Sequence, residues 1–310
     1  MPGRRRAPAC LHGHVRWIDP AFQTVLDGVG LLPQVDWRTL APGEAASESR
    51  VTNCFRVRHP GGEVVYFKRY VYTRHKKLRH LLRPSRAMTE AFGYRQLAAI
   101  GIPTPEVVAF SEHRRLGRVL STCIVVREVP ASRDLERFAV EELRRMTQQG
   151  RREALEAVVS ILAGQLRLAH AAGFFHQDLH WRNLLISGDT PDTYRIAWID
   201  CPRARCRPVR RQYARLLDLS TLASQAPEHL TPRERFRALA CLLGDRAPFA
   251  ETRRWFRRID RHRLGRRSSS KAALNATRGT AKPLQEVSLQ AIASSSTTSE
   301  KITRRKSKPL

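Results

Sequence analysis

The stretch His176-Gln-Asp178-Leu-His180-Trp-Arg-Asn183, followed by Ile199-Asp200, places an acid, an amide five residues on and a second acid after one more strand-like segment. Phosphoryl transfer from ATP needs that set. One carboxylate orients a hydroxyl nucleophile, while an amide and a second carboxylate hold magnesium against the nucleotide phosphates. Asp178 is therefore the candidate catalytic base, and Asn183 and Asp200 are the candidate metal ligands. An isolated D-x-x-x-x-N would read as a surface loop with Asp and Asn capping turns, so the reading depends on its companions.

Two companions precede it. Lys68 falls on the second strand of an expected hairpin, where an ammonium can reach the α- and β-phosphates as a point charge. Glu90 falls on the following helix and can pair with Lys68 to hold it extended. The order Lys, helical Glu, DxxxxN, Asp supports ATP and Mg2+ as cofactors. One expected part is absent: Ser47-Glu-Ser-Arg-Val-Thr-Asn53, where a phosphate-covering loop should lie, contains no glycine. His176 is expected to pack and hydrogen-bond the loop rather than transfer protons. His180 is open between a structural place and one facing the acceptor or the metal cluster, and Asp218 is a candidate brace beneath the loop or an exposed helical acid.

These residues need elements to hold them. Asn53-Cys-Phe-Arg-Val-Arg, the turn His59-Pro-Gly-Gly62 and the β-rich run Glu63 to Tyr72 predict a hairpin. Residues 85–99 predict a helix capped by Ser85 and closed by Gly101. Extended segments follow at Glu106–Phe110 and Ser121–Glu128. Leu155, Val158, Val159, Leu162, Leu166 and Ala169 recur at helical spacing, with Gly173 as the stop. Leu184–Ile186 and Tyr194–Ile199 pair across Gly188-Asp189, and helices are expected near 209–225, 232–244 and 250–263. The fold class is α+β, with a small β-rich lobe and a larger helical lobe. The expected division is an N-terminal extension over 1–45, loosely structured with Trp17, Phe22, Leu26 and Trp37 as docking points. An N-lobe follows over 46–130, a C-lobe over 131–265, and a basic, disordered tail over 266–310.

The 310 residues carry a formal net charge of +28, which attracts polyanions: nucleic acid, an anionic membrane face or a phosphorylated substrate. Arginine is spread through every segment, so part of the excess is compositional, but two clusters stand out. Phe67 to Arg86 holds eight Lys/Arg and no acid, and Arg203 to Arg215 holds six Arg and no acid. Arg74 to Arg83, with Leu78, Leu81 and Leu82 among the cations, reads either as an interfacial helix on an anionic membrane or as a solvated connector. No zinc-finger, RNP or basic-zipper pattern occurs, so specific nucleic-acid binding is not expected. No run of about 18 apolar residues predicts a membrane span, and the basic N-terminus lacks a secretory apolar stretch. The six cysteines match no metal spacing and read as reduced thiols in a cytosolic protein.

A family resemblance rests on Tyr66-Phe-Lys68-Arg-Tyr70, Ala87-Met-Thr-Glu90 leading to Gly101-Ile-Pro-Thr-Pro105, His176-x-Asp178-Leu-His180-x-x-Asn183 and Ile199-Asp200-x-x-Arg203. Over about residues 47–245 the chain resembles the bacterial lipopolysaccharide core kinases, which phosphorylate heptose or Kdo. The second loop histidine and IDxxR in place of DFG point to this branch rather than to Ser/Thr kinases. The resemblance implies a two-lobed protein-kinase-like fold, Lys68 on the nucleotide phosphates with Glu90 as its partner, Asp178 as catalytic base, and Asn183 and Asp200 on the metal. It also implies a lipid A–core glycolipid as partner, met by a cytoplasmic enzyme peripheral to the cytosolic face of the inner membrane. Two alternatives stay open at this level: a kinase acting on a protein or another small molecule, and an inactive kinase-fold scaffold.

Overall fold

A computed structural model describes residues 10–31, 36–49, 52–72, 80–244 and 247–279. The chain divides into two compact units, Met1–Arg263 and Leu264–Leu310, and the elements that build the candidate site all lie in the first.

The N-terminal lobe is a six-stranded antiparallel sheet. Its strands are β1 (Gly13–Ile18), β2 (Glu44–Ser49), β3 (Thr52–Arg58), β4 (Val64–Tyr70), β5 (Val107–Arg115) and β6 (Arg118–Arg127), in spatial order β1-β5-β6-β4-β3-β2. The short helix α1 (Gln23–Gly28) follows β1, and α2 (Arg86–Ala99) lies between β4 and β5. Period-two alternation along β4 assigns its faces. Val65 and Phe67 enter one apolar layer, whereas Lys68 and Tyr70 stand on the opposite face with α2. Ser85 caps α2 by accepting from the Met88 backbone N–H at 3.1 Å. Gly101, at φ +79°, takes the left-handed turn that ends it.

The expectation of a loosely structured N-terminal extension is corrected here. β1 pairs with β5 along its whole length, and Phe22, Leu26, Leu31 and Trp37 bury against Phe55, Phe67, Val108 and Val125. They cover the sheet face that α2 leaves open, so their hydrophobicity is used within the lobe. Phe22, Leu26 and Trp37 do dock as expected, and Trp17 packs at the edge of the other core. Residues 73–79, the centre of the basic connector, lie outside the described residues. At its far end the fully buried Arg114, paired with Glu112, donates to the carbonyls of His80 and Arg83.

The second lobe begins with β7 (Ser132–Asp134) and α3 (Leu135–Phe138), which runs into one π-helical turn at Ala139–Leu143. The long α4 (Gln148–Ala171), capped by Thr147, presents Ala154, Val158, Leu162, Leu166 and Ala169 to the core. β8 (Phe174–Phe175), β9 (Leu184–Ser187), β10 (Arg195–Trp198) and β11 (Arg205–Cys206) follow, with β9 between β7 and β10 and β11 on β8. Helices α5 (Arg211–Leu222), α6 (Ala226–His229), α7 (Pro232–Leu243) and α8 (Phe249–Gly279) complete the described residues. α7 opens with a full capping box between Thr231 and Glu234. α8 extends to Gly279, whereas the sequence reading placed a disordered tail from 266. No proline interrupts that stretch, and its Ser, Lys and Ala residues tolerate helical backbone. Residues 280–310 lie outside the described residues. Among the described residues no helix is long and apolar enough to cross a membrane.

Candidate active site

Lys68 leaves the middle of β4 toward α2. Its Nζ lies 3.1 Å from Glu90 Oε1 and 2.6 Å from Asp200 Oδ1. Three of the five residues singled out from sequence thus meet at one ammonium. Burial disfavours the Lys68 charge, but Glu90 and Asp200 outweigh it and hold the group well above the usual lysine range. Asp200 shows the counterpart. Burial pushes it up, the Lys68 charge and hydrogen bond pull it down, and the net is a carboxyl below its ordinary value.

Glu90 is almost fully buried, at 1% exposure, and is satisfied by more than Lys68. Tyr94 donates to its Oε1 at 2.8 Å, and Tyr70 donates to Oε2. Sequence reasoning passed over both tyrosines, although their spacing carries the signal. Tyr70 is two residues from Lys68 on a strand, and Tyr94 is four from Glu90 on a helix, so each shares its partner's face. Burial first, then the neighbouring Glu90 carboxylate, pushes both phenols well above their usual range.

The loop from His176 to Asn183 enters from β8 and leaves into β9. Its backbone is gripped from below by α5 and the turn that follows it. Asp218, fully buried, accepts from the Gln177 N–H at 2.6 Å and meets His170 Nε2 at 3.0 Å. Thr221 accepts from the Leu179 N–H, and Gln225 accepts from the Trp181 N–H. Of the two readings of Asp218, the brace is the one observed. Gln177 sits at φ +63°, and holding a non-glycine residue there requires such over-determined anchoring.

Within the loop, Asn183 Nδ2 donates to the Asp178 carbonyl at 2.7 Å, which ties the amide to the acid five residues before it. His176 Nε2 and the Asn183 carbonyl both engage Ile199, at its carbonyl and its N–H respectively, each at 2.9 Å. That clasp sets the next residue, Asp200, beside the loop. The Asp200 N–H donates to Tyr94 at 3.0 Å, and its φ of +56° turns the carboxylate toward Lys68. His176 therefore packs and hydrogen-bonds as expected. His180 has Ser224 at 3.0 Å on Nδ1 and Asp178 at 3.6 Å from Nε2. Arg203 also approaches Asp178, at 3.6 Å.

The hairpin expected to cover phosphates is β2–β3, in which Ser49 pairs with Thr52. Residues 50 and 51, which join the strands, lie outside the described residues. No cluster of three His, Cys, Asp or Glu side chains able to hold a metal occurs among the described residues. The donor set nonetheless suits a hard cation shared with phosphate. Asn183 and Asp200 offer an amide and a carboxylate oxygen, and magnesium commonly takes few protein ligands and completes its shell with phosphates and water.

Three comparisons bear on this geometry. The model of the lipopolysaccharide kinase (Kdo/WaaP) family matches residues 42–239. Curated protein sequences contain no match. A solved structure described as WaaP in complex with acyl carrier protein aligns with a TM-score of 0.60 at 22% identity, over 81% of this chain and 98% of that one. At that identity the alignment speaks for the fold.

Proposed function

Because the chain belongs to the lipopolysaccharide kinase (Kdo/WaaP) family, a family of phosphotransferases acting on sugar hydroxyls, we propose that it phosphorylates a heptose or Kdo hydroxyl of the lipid A–inner core from ATP. The observation that carries this reading is the convergence on Lys68, at 3.1 Å from Glu90 and 2.6 Å from Asp200, beside the Asp178–Asn183 loop. Residues from both lobes converge there, which supports a site shared by a nucleotide's phosphates and an acceptor hydroxyl.

Lys68, held extended by Glu90, takes the α- and β-phosphates as a point charge. Asn183 and Asp200 would hold magnesium, which would supply neutralisation of charge on the phosphates. Asp178 accepts the hydroxyl proton or orients the hydroxyl in line with the γ-phosphate. The protein's part is positioning and charge stabilisation, since the loose transition state needs little covalent chemistry. Asp218, Thr221 and Gln225 hold the loop backbone so that Asp178 keeps its place. The lipid A–core acceptor is met by peripheral contact with the anionic cytosolic face of the membrane through the basic segments.

The test is mass spectrometry of core oligosaccharide from a strain lacking this chain, complemented with wild type or with Asp178→Ala. Loss of one phosphate that only wild type restores is the expected result. Unchanged phosphorylation in the deletion strain overturns the reading.

A further inference from the structure

The arginine-rich segment after Asp200 is registered to the catalytic loop. β11 pairs with β8 in the register Arg205↔Phe175 and Cys206↔Phe174. The Arg207 N–H donates to the Gly173 carbonyl at 2.7 Å. β8 runs directly into His176, so the segment is hydrogen-bonded to the strand that leads into the loop. Gly173, at φ +78°, lies so close to Arg207 that an added β-carbon would come 3.0 Å from its Cγ.

Burial alternates along this segment. Ala204 is buried and Cys206 packs against the core, while Arg203, Arg205 and Arg207 are exposed. The inward residues anchor the chain and the outward ones form an arginine face. Arg203, at the end nearest the chemistry, lies 3.6 Å from Asp178 Oδ1. Among the described residues no ion pair joins Arg205 or Arg207 to an acid, and positions 203–215 contain no Asp or Glu. Arg203 reaches the catalytic carboxylate, while the exposed guanidinium groups of Arg205 and Arg207, with no ion pair to an acid among the described residues, suit a polyanion presented from solvent.

We propose that Arg203, Arg205 and Arg207 recognise an anionic group, phosphate or carboxylate, that the acceptor already carries near the hydroxyl being phosphorylated. This rests on the sugar-kinase reading above and names the feature of the acceptor that is selected. The four-residue span reaches at most about 14 Å, enough to follow a short charged oligosaccharide outward from Asp178. Guanidinium forks bind both anions bidentately, which a lysine would not. An anionic membrane is the competing occupant. The register with β8 favours the acceptor, because it fixes the face to the loop holding Asp178 rather than to a separate surface.

The experiment compares kcat/KM of the full chain on glycolipid purified from a strain lacking it. The glycolipid is presented in uncharged detergent micelles in three forms: native, stripped of phosphate by hydrogen fluoride, or with carboxylates converted to amides by carbodiimide. Wild type is expected to prefer native acceptor over at least one neutralised form by roughly tenfold or more, the arm that loses activity naming the anion. Arg205→Gln/Arg207→Gln should lose that preference, and Arg205→Lys/Arg207→Lys should regain it only in part. If the double Gln variant does not fold, the wild-type arms still decide. Equal kcat/KM on all three acceptors overturns this inference and leaves the kinase reading intact, whereas no turnover on any of them overturns both. The native acceptor is also assayed in anionic phospholipid vesicles, and a variant defect confined to the vesicles and absent in micelles assigns the face to membrane and likewise overturns the inference.

Discussion

Gly93 on α2 and Cys201 immediately after Asp200 occupy adjoining space. A β-carbon added at Gly93 would overlap Cys201 Sγ, which itself points at the Glu90 carbonyl at 3.5 Å. The helix that carries Glu90 and the segment that carries Asp200 are thus packed at glycine-to-thiol distance, and that closeness lets one ammonium bridge both carboxylates. Gly93→Ala should push Cys201 away, destabilising the fold by about 1–3 kcal/mol as an overpacking change. It should also lower turnover by displacing Asp200. Cys201→Ala in the same chain should recover part of both losses, because the two sites share one volume. Thermal melts and steady-state kinetics of the two single variants and the double check this. Additive losses would show that the two residues do not share space.

Asp178 and Asp218 should separate into chemistry and scaffold. Among the described residues the Asp178 carboxylate forms ion pairs with His180 and Arg203, both at a long 3.6 Å, so Asp178→Asn should melt within about 0.5 kcal/mol of wild type. Its turnover should fall about 10²–10⁴-fold. Asp218→Ala strips the acceptor from the buried Gln177 N–H and should lower stability by about 1–3 kcal/mol as well as activity. Differential scanning calorimetry beside a kinase assay distinguishes the pair. An Asp178→Asn protein that unfolds early would count against this assignment.

Removing Lys68 should be felt in the fold as well as the reaction. Lys68→Met leaves Glu90 buried with only its tyrosine donors and should cost about 3 kcal/mol. Adding Glu90→Leu removes the stranded charge and should restore stability without activity. Chemical denaturation of wild type, single and double variants measures this, and a double variant less stable than Lys68→Met would refute it.

The Lys68–Asp200 pair sets a pH window. Asp200 lies below its ordinary value against the push of burial, because Lys68 favours its charged form, so its contribution is present above about pH 4 and fades as pH falls through the depressed value. Lys68 is raised, so its contribution is full below about pH 10.4 and is lost only as pH rises beyond that. The stability gap between wild type and Lys68→Met should therefore be flat from about pH 5 to 9 and shrink in acid. Melting temperatures across pH 3–9 test it. A gap that widens on acidification would reverse the sign and reject the pairing.

The strands and helices around the site were legible because their signals are local. Alternation in β3 and β4, the Ser85 cap with Gly101, and the helical repeat ending at Gly173 each report short-range preferences. The N-terminal layer was not legible. Leu26, Leu31 and Trp37 form no long periodic element, and their burial depends on a sheet face whose far strands arrive only at residues 107–127. Tyr70 and Tyr94 were readable in principle from their spacing to Lys68 and Glu90. The grip of Thr221 and Gln225 on the loop was not, because it depends on how α5 docks beneath it.

By itself the sequence determined the chemistry that was available: a lysine, a helical glutamate, two aspartates and an amide in kinase order, within a family match over residues 42–239. Residue types and spacings are covalent facts, and they limit which reaction a chain can run. Only the tertiary structure decided that Lys68 bridges Glu90 and Asp200, that Asp218 holds the loop from below, and that Arg203 approaches Asp178. Those are contacts between residues 22 to 132 positions apart, set by sheet register and helix docking, and no local preference encodes them.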